Sequence, residues 1–134
     1  MRSILIAILM GGTILICSSC ATVPTKPLAP GELRLLSMAT LERLEIKVKV
    51  PFEVSINFEA DGEPEIRNAC FFWAGDGPHC FNVTDVNYGS PKTIKVKLAV
   101  TKPGYYVLDG YVVYNREGKG GPTNIVSFNI RVLQ

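Results

Sequence analysis

The sequence predicts an all-β protein, an antiparallel sandwich of about seven strands, and three observations carry that prediction. Leu44, Ile46, Val48, Val50, Phe52, Val54, Ile56 and Phe58 alternate with mostly polar residues, the period of a strand with one face in a core and the other in water. Clusters of Gly, Pro, Asp and Asn punctuate the apolar runs at short intervals, as in meandering β structure. No convincing amphipathic helix competes with this pattern. With 134 residues, 47% of them hydrophobic, the chain suits one small domain with a packed core. Fourteen basic residues against 12 acidic ones leave a net charge of only +2, which makes no electrostatic case for a nucleic-acid partner. One His and four Cys are a thin inventory for a metal site or an acyl-transfer triad. No enzyme, cofactor or resident metal is expected.

The first residues read as an address. Met1-Arg2-Ser3 is a short positive start, and residues 4–16 are apolar apart from Gly11, Gly12 and Thr13, as in a secretory signal. The stretch is slightly short of the roughly 20 residues that span a bilayer, which favours a cleaved signal over an anchor. Ile16-Cys17-Ser18-Ser19-Cys20 resembles the lipobox of bacterial lipoproteins. Ser18 and Ser19 match that pattern, while Cys17 stands where Leu is usual. The resemblance implies a signal peptide over residues 1–19 and a mature chain that begins at Cys20. Acyl chains on Cys20, palmitate among them, would make the membrane a partner. Ala21 rather than Asp after that Cys resembles the sorting rule of some Gram-negative lipoproteins. It implies a cell-envelope protein on the outer membrane rather than the inner one, its domain facing the periplasm or the exterior. An ordinary signal cleaved after Ala21 is the alternative. With Cys17 removed and Cys20 acylated, Cys70 and Cys80 remain as an even pair in an oxidising compartment, which predicts a disulfide. A metal pair helped by His79 and Asp76 competes, although zinc wants four well-spaced ligands.

Residues 20–30 hold three prolines and no apolar period, so a semi-extended tether is expected there, ahead of a single domain over 31–134. Leu33, Leu35, Leu36 and Met38 fit neither helical nor alternating spacing, and 31–40 reads as a first strand or a cover segment. Pro51, unable to donate to a ladder, should separate two strands within the long alternation, and Asp61-Gly62 supplies a turn. A strand over 66–73 follows, then a turn over 74–78 that the Cys70 to Cys80 bridge would staple as a hairpin. Phe81 and Val83 start the return. Strands over 93–100, 105–114 and 124–133 complete the set, with the glycine-rich stretch 116–122 as a flexible hairpin loop.

Pro103-Gly104-Tyr105-Tyr106-Val107-Leu108 resembles the start of the penultimate strand of immunoglobulin-like domains. The resemblance implies an immunoglobulin-like sandwich over about 41–134. Tyr106 would form a tyrosine corner, Leu108 replaces the usual Cys, and Trp73 would pack on aliphatic side chains. With Tyr106, Leu108, Val112 and Tyr114 inward, parity turns Tyr105, Val107, Asp109, Tyr111 and Val113 outward. Placing Phe71 and Trp73 inside turns Cys70 and Phe72 to that same outer face. Phe72, Tyr105, Val107, Tyr111 and Val113 are therefore the candidate binding face, being more apolar than a free surface should be. Either Leu33, Leu35, Leu36 and Met38 fold across it, or it recognises another protein.

At one end of such a sandwich the loop with Asp61, Glu63 and Glu65 would neighbour the loop with Arg116 and Lys119, a second candidate binding region. The three acids read as a solvated loop or, less directly, as calcium ligands. Lys92, Lys95, Lys97 and Lys102 read as a wet face or an anionic-lipid contact, and Asn82-Val83-Thr84 as an accidental sequon in a bacterial-type chain. The functional expectation is a non-catalytic, membrane-anchored envelope lipoprotein that serves as a binding or assembly module for an envelope protein. The alternative is a periplasmic inhibitor or ligand-binding protein that uses the end loops.

Overall fold

The computed structural model describes residues 26–40 and 46–134; the signal, Cys20, the first half of the tether, and Leu44 and Glu45 of the alternation lie outside them. Among the described residues nine strands run in chain order: β1 (Leu33–Thr40), β2 (Ile46–Lys47), β3 (Phe52–Ala60), β4 (Ile66–Trp73), β5 (Asp76–Asn87), β6 (Thr93–Leu98), β7 (Gly104–Arg116), β8 (Lys119–Pro122) and β9 (Val126–Leu133). They pair in the order β1-β3-β6-β5-β4-β7-β9-β2, with β8 added to β7.

This curled path folds into two layers because β5 serves both. Its first half pairs with β4, from Trp73 with Asp76 to Asn68 with Asn82, and its second half pairs with β6 from Val83 onward. One layer is therefore β1-β3-β6 with the end of β5. The other is the start of β5 with β4, β7, β9 and β2. All pairs are antiparallel except β9 with β2, where Val132 and Leu133 lie parallel to Ile46 and Lys47. The layers thus match an immunoglobulin-like sandwich whose first strand splits between sheets.

Alternation builds the core. Phe52, Val54, Ile56 and Phe58 of β3 face Ile94, Val96 and Leu98 of β6 along one layer, all at most 3% exposed. Ala69, Phe71, Leu108, Val112, Ile130 and Val132 close over them from the other layer. Among the described residues, no polar or charged side chain is buried. Pro51 ends the break between β2 and β3, as expected. The tyrosine corner is present, since the Tyr106 hydroxyl donates to Lys102 O at 2.8 Å, and Leu108 at the usual Cys position is fully buried.

Three expectations are corrected. The segment with Leu33, Leu35, Leu36 and Met38 does not fold across the outer sheet face. It forms β1, paired with β3, and buries Leu33, Leu35 and Met38 between the layers. A bulge between Leu35 and Ser37 reverses the parity there and leaves Leu36 51% exposed. Trp73 packs against the edge of the core and not on aliphatic side chains alone, because its indole also stacks on the His79 ring at 4.3 Å near the hairpin tip. Phe71 fills the centre instead, against Phe81. Finally, the hairpin expected over 116–122 is present but is paired rather than flexible. Glu117 and Gly118 both have positive φ (51° and 80°), the signature of a tight type I′ turn, and β8 returns along β7. Ala74 and Gly75 make the same kind of turn, with φ 54° and 72°, so Asp76 and Pro78 already belong to β5.

Candidate functional site

The outer face of the β5-β4-β7-β9 layer is built by parity and register. On β7, Tyr105, Val107, Asp109, Tyr111 and Val113 project away from the core, because Leu108 and Val112 between them are fully buried. Register then sets their neighbours. Tyr105 lies opposite Arg131, Val107 opposite Asn129 and Asp109 opposite Ser127 on β9. On the other side Phe72 lies opposite Asp109, Cys70 opposite Tyr111 and Asn68 opposite Val113. The Phe72 and Tyr111 rings meet at 5.9 Å. Beside them the Cys70 to Cys80 disulfide joins directly paired residues of β4 and β5.

Tyr105 is 78% exposed, Val107 55% and nearby Ile125 59%. Phe72 and Tyr111 join Pro122, Thr123 and Ile125 around a shallow apolar depression of about 250 Å³. Charge is sparse. Asp109 accepts a hydrogen bond from the Ser127 hydroxyl, and the Arg131 guanidinium stands 5.5 Å above the Tyr105 ring centre. Arg67 lies beyond one end of the patch, against Gly120, and Lys47 beyond the other, beside Leu133. Aromatic anchors with few charges are the composition of interface cores.

The end loops have a different character. Asp61 and Glu65 are brought next to Arg116, as immunoglobulin-like topology implies, but their polar atoms are engaged within the chain. Asp61 Oδ2 accepts from the Gly31 amide at 2.8 Å, Glu65 Oε1 accepts from Asn115 Nδ2, and Arg116 Nε donates to Pro30 O at 3.0 Å. Residues 26–32 thus lie between the two loops, and Arg34 also reaches back to Lys26 O. Glu63 and Glu65 raise the Tyr88 phenol above its ordinary pKa together with burial, the larger cause. Arg116 and Lys119 line an open depression of about 400 Å³ along the β7 to β8 hairpin.

No protein-family model and no curated protein matches the sequence. Nine solved chains resemble the fold. One is a DUF4785 family protein from Legionella pneumophila, 8% identical with a TM-score of 0.42 over 71% of this chain. The chain spans about a quarter (27%) of that protein's length. Another is the cohesin module of a family 33 glycoside hydrolase from Clostridium perfringens. It is 15% identical, with a TM-score of 0.33 over 78% of this chain and 98% of the module.

Two features escaped the sequence reading. Asn124 places its side-chain amide against the backbone of Leu35, donating to the carbonyl at 2.9 Å and accepting from the amide at 2.8 Å. The sequence reads Asn124 as the first residue of the last strand, which in fact starts at Val126, and nothing local signals that bridge. His79 Nε2 lies 3.2 Å from Asp76 Oδ2 while its ring stacks on Trp73. The hairpin register that makes this trio depends on a bulge between Phe71 and Trp73. Among the described residues no His, Cys, Asp and Glu side chains assemble into a three-ligand metal group.

Proposed function

We propose that this chain is a lipid-anchored envelope protein whose sandwich is a non-catalytic binding module, docking a protein on the outer face of the β4-β7-β9 layer. The observation that carries the reading is that face itself. Tyr105, Val107 and Ile125 remain more than half exposed, while the N-terminal segment available to cover them is committed to the other layer as β1. The end loops support a docking role less well, because residues 26–32 already occupy the space between them. The lipobox resemblance at Cys20 supports the anchor. Two or more acyl chains at roughly 0.8 kcal/mol per buried methylene hold a small domain on a bilayer stably.

A photo-crosslinking amino acid at position 107 in the full-length chain tests the docking face. A discrete adduct from position 107, with none from a control position such as Glu53 on the opposite layer, is the expected result. Equal labelling at both positions, or none at either, defeats the reading. Intact mass of the membrane fraction tests the anchor, since cleavage before Cys20 plus acyl chains is expected and Cys20→Ala should abolish the added mass.

A further inference from the structure

We infer that the partner this face fits is a second copy of the same chain, packed face to face about a twofold axis between Val107 and Asn129. The inference rests on the docking face described above and names its occupant. Its basis is the placement of the two charges. Asp109 and Arg131 lie on opposite sides of the Val107 and Asn129 row, because Asp109 pairs with Ser127 and Arg131 with Tyr105. Four residues of β7 separate Tyr105 from Asp109, about 14 Å at strand rise. A twofold axis lying in the interface, through the midpoint of Val107 and Asn129 and inclined about 20° to the across-strand direction, carries Asp109 of each copy onto Arg131 of the other. One acid and one base thereby make two symmetric ion pairs, the self-complementarity that an isologous interface requires.

The apolar positions obey the same operation. β7 lies between β4 and β9, so the rotation that brings Asp109 to Arg131 also brings Tyr105 toward Phe72 of the second copy, twice. Val107 meets its own counterpart near the axis. Arg131 already stacks on Tyr105, which leaves the edge of its guanidinium free to meet a carboxylate in a bidentate pair. A rotation that kept the strands parallel would oppose Asp109 to uncharged positions and leave Arg131 without an acid. With the axis on the Val107 row, the face overlaps its mate from Tyr105 to Asp109, five residues at about 3.4 Å across four strands at about 4.8 Å, roughly 330 Å² in projection. That is small beside the ~800 Å² per partner of a standard interface, so self-association in the micromolar range is expected rather than an obligate dimer.

Two differently tagged full-length copies, co-expressed and captured through one tag, read the association directly. The native pair should co-purify. Asp109→Arg alone and Arg131→Asp alone each place like charges together twice and should lower co-capture at least about tenfold. Co-expressing the Asp109→Arg copy with the Arg131→Asp copy should restore it, because each heterologous pair then regains opposite charges. Thermal melts of each variant verify that the fold survives. No co-capture of the native chain, undiminished co-capture of both single variants, or failure of the mixture to recover would each overturn the dimer. The adduct at position 107 separates this from the docking reading. A mass of two chains supports the dimer, whereas an adduct with a different protein alone overturns it and leaves the docking face standing.

Discussion

Gly110 shows how closely single residues set this core. It faces inward on β7 between Leu108 and Val112, and a Cβ there would stand 2.9 Å from two carbons of the Phe71 ring and 3.1 Å from Met38 Sδ. All three groups are buried, so none can retreat into solvent. Gly110→Ala should therefore destabilise the domain by about 1–3 kcal/mol despite its better strand propensity, measured by urea unfolding. A neutral or stabilising result would mean that Phe71 can move. Tyr88 makes the second residue-level case. Its hydroxyl donates to Pro64 O, its ring meets Phe58 edge-on at 5.8 Å, and burial, then Glu63 and Glu65, raise its pKa above 10.0. The fold therefore favours the neutral phenol. That contribution is complete below about pH 10, the pKa of an unfolded tyrosine, and is lost as pH rises through the higher folded value. Stability should fall above pH 10 in the native chain and fall less steeply in Tyr88→Phe. Identical profiles would sink the assignment.

Among the elements, legibility followed local regularity. From Phe52 to Phe58 each side chain keeps its parity, and the sequence pattern and burial agree position by position. The outward set on β7 follows the same unbroken parity, whereas Ile66–Trp73 is legible as a strand only from its apolar run between turns, since bulges at both ends break its parity. β1 was not, because its bulge lets Leu35 and Met38 share the core with an odd spacing that no period of two or 3.6 can describe. The glycines of β8 were read as loop because pairing with β7, rather than side-chain pattern, makes that strand. Trp73 packs against the core but is only partly buried, because it lies at the end of β4 beside the turn, where His79 covers its ring. β1 also depends on a contact remote in sequence. Asn124 pairs with both backbone groups of Leu35 where the bulge interrupts the ladder. Asn124→Ala would leave a part-buried amide and carbonyl without those partners, and a loss of about 1–3 kcal/mol is expected. Hydrogen exchange supplies the sharper test, since the Leu35 amide should lose protection while the Val54 and Ile56 amides keep theirs under native conditions. Loss spread evenly over both strands would show that Asn124 supports the whole layer rather than the edge.

At the scale of the whole molecule, the chain enters the domain at the end that holds Asp61, Glu65 and the Glu117-Gly118 turn. Gly31 binds Asp61 there and Arg116 binds Pro30. Six residues of chain separate Lys26 from Cys20, a contour of at most about 20 Å, so an acylated Cys20 would hold the entry end close to the bilayer. The Ala74-Gly75 turn lies toward the opposite end, since Phe72 pairs with Asp109 and Ala74 is thus about ten residues of β7 from the Glu117 turn, roughly 34 Å at strand rise. A single anchored copy therefore keeps Ala74 far from lipid. The antiparallel pair inferred above reverses one copy relative to the other, which places one entry end at each extremity. Both tethers reach the same membrane only if the pair lies lengthwise along it, and each Ala74, level with the Val107 row by register, then sits at the middle of the pair alongside the bilayer instead of far above it. Fluorophores at Glu117→Cys and Ala74→Cys, read against brominated lipid, separate the two arrangements. In the Asp109→Arg background, quenching should be confined to position 117. With the native charges it should extend to position 74. Quenching at 117 alone in both backgrounds would contradict the lengthwise pair, and none at either position would contradict the anchor.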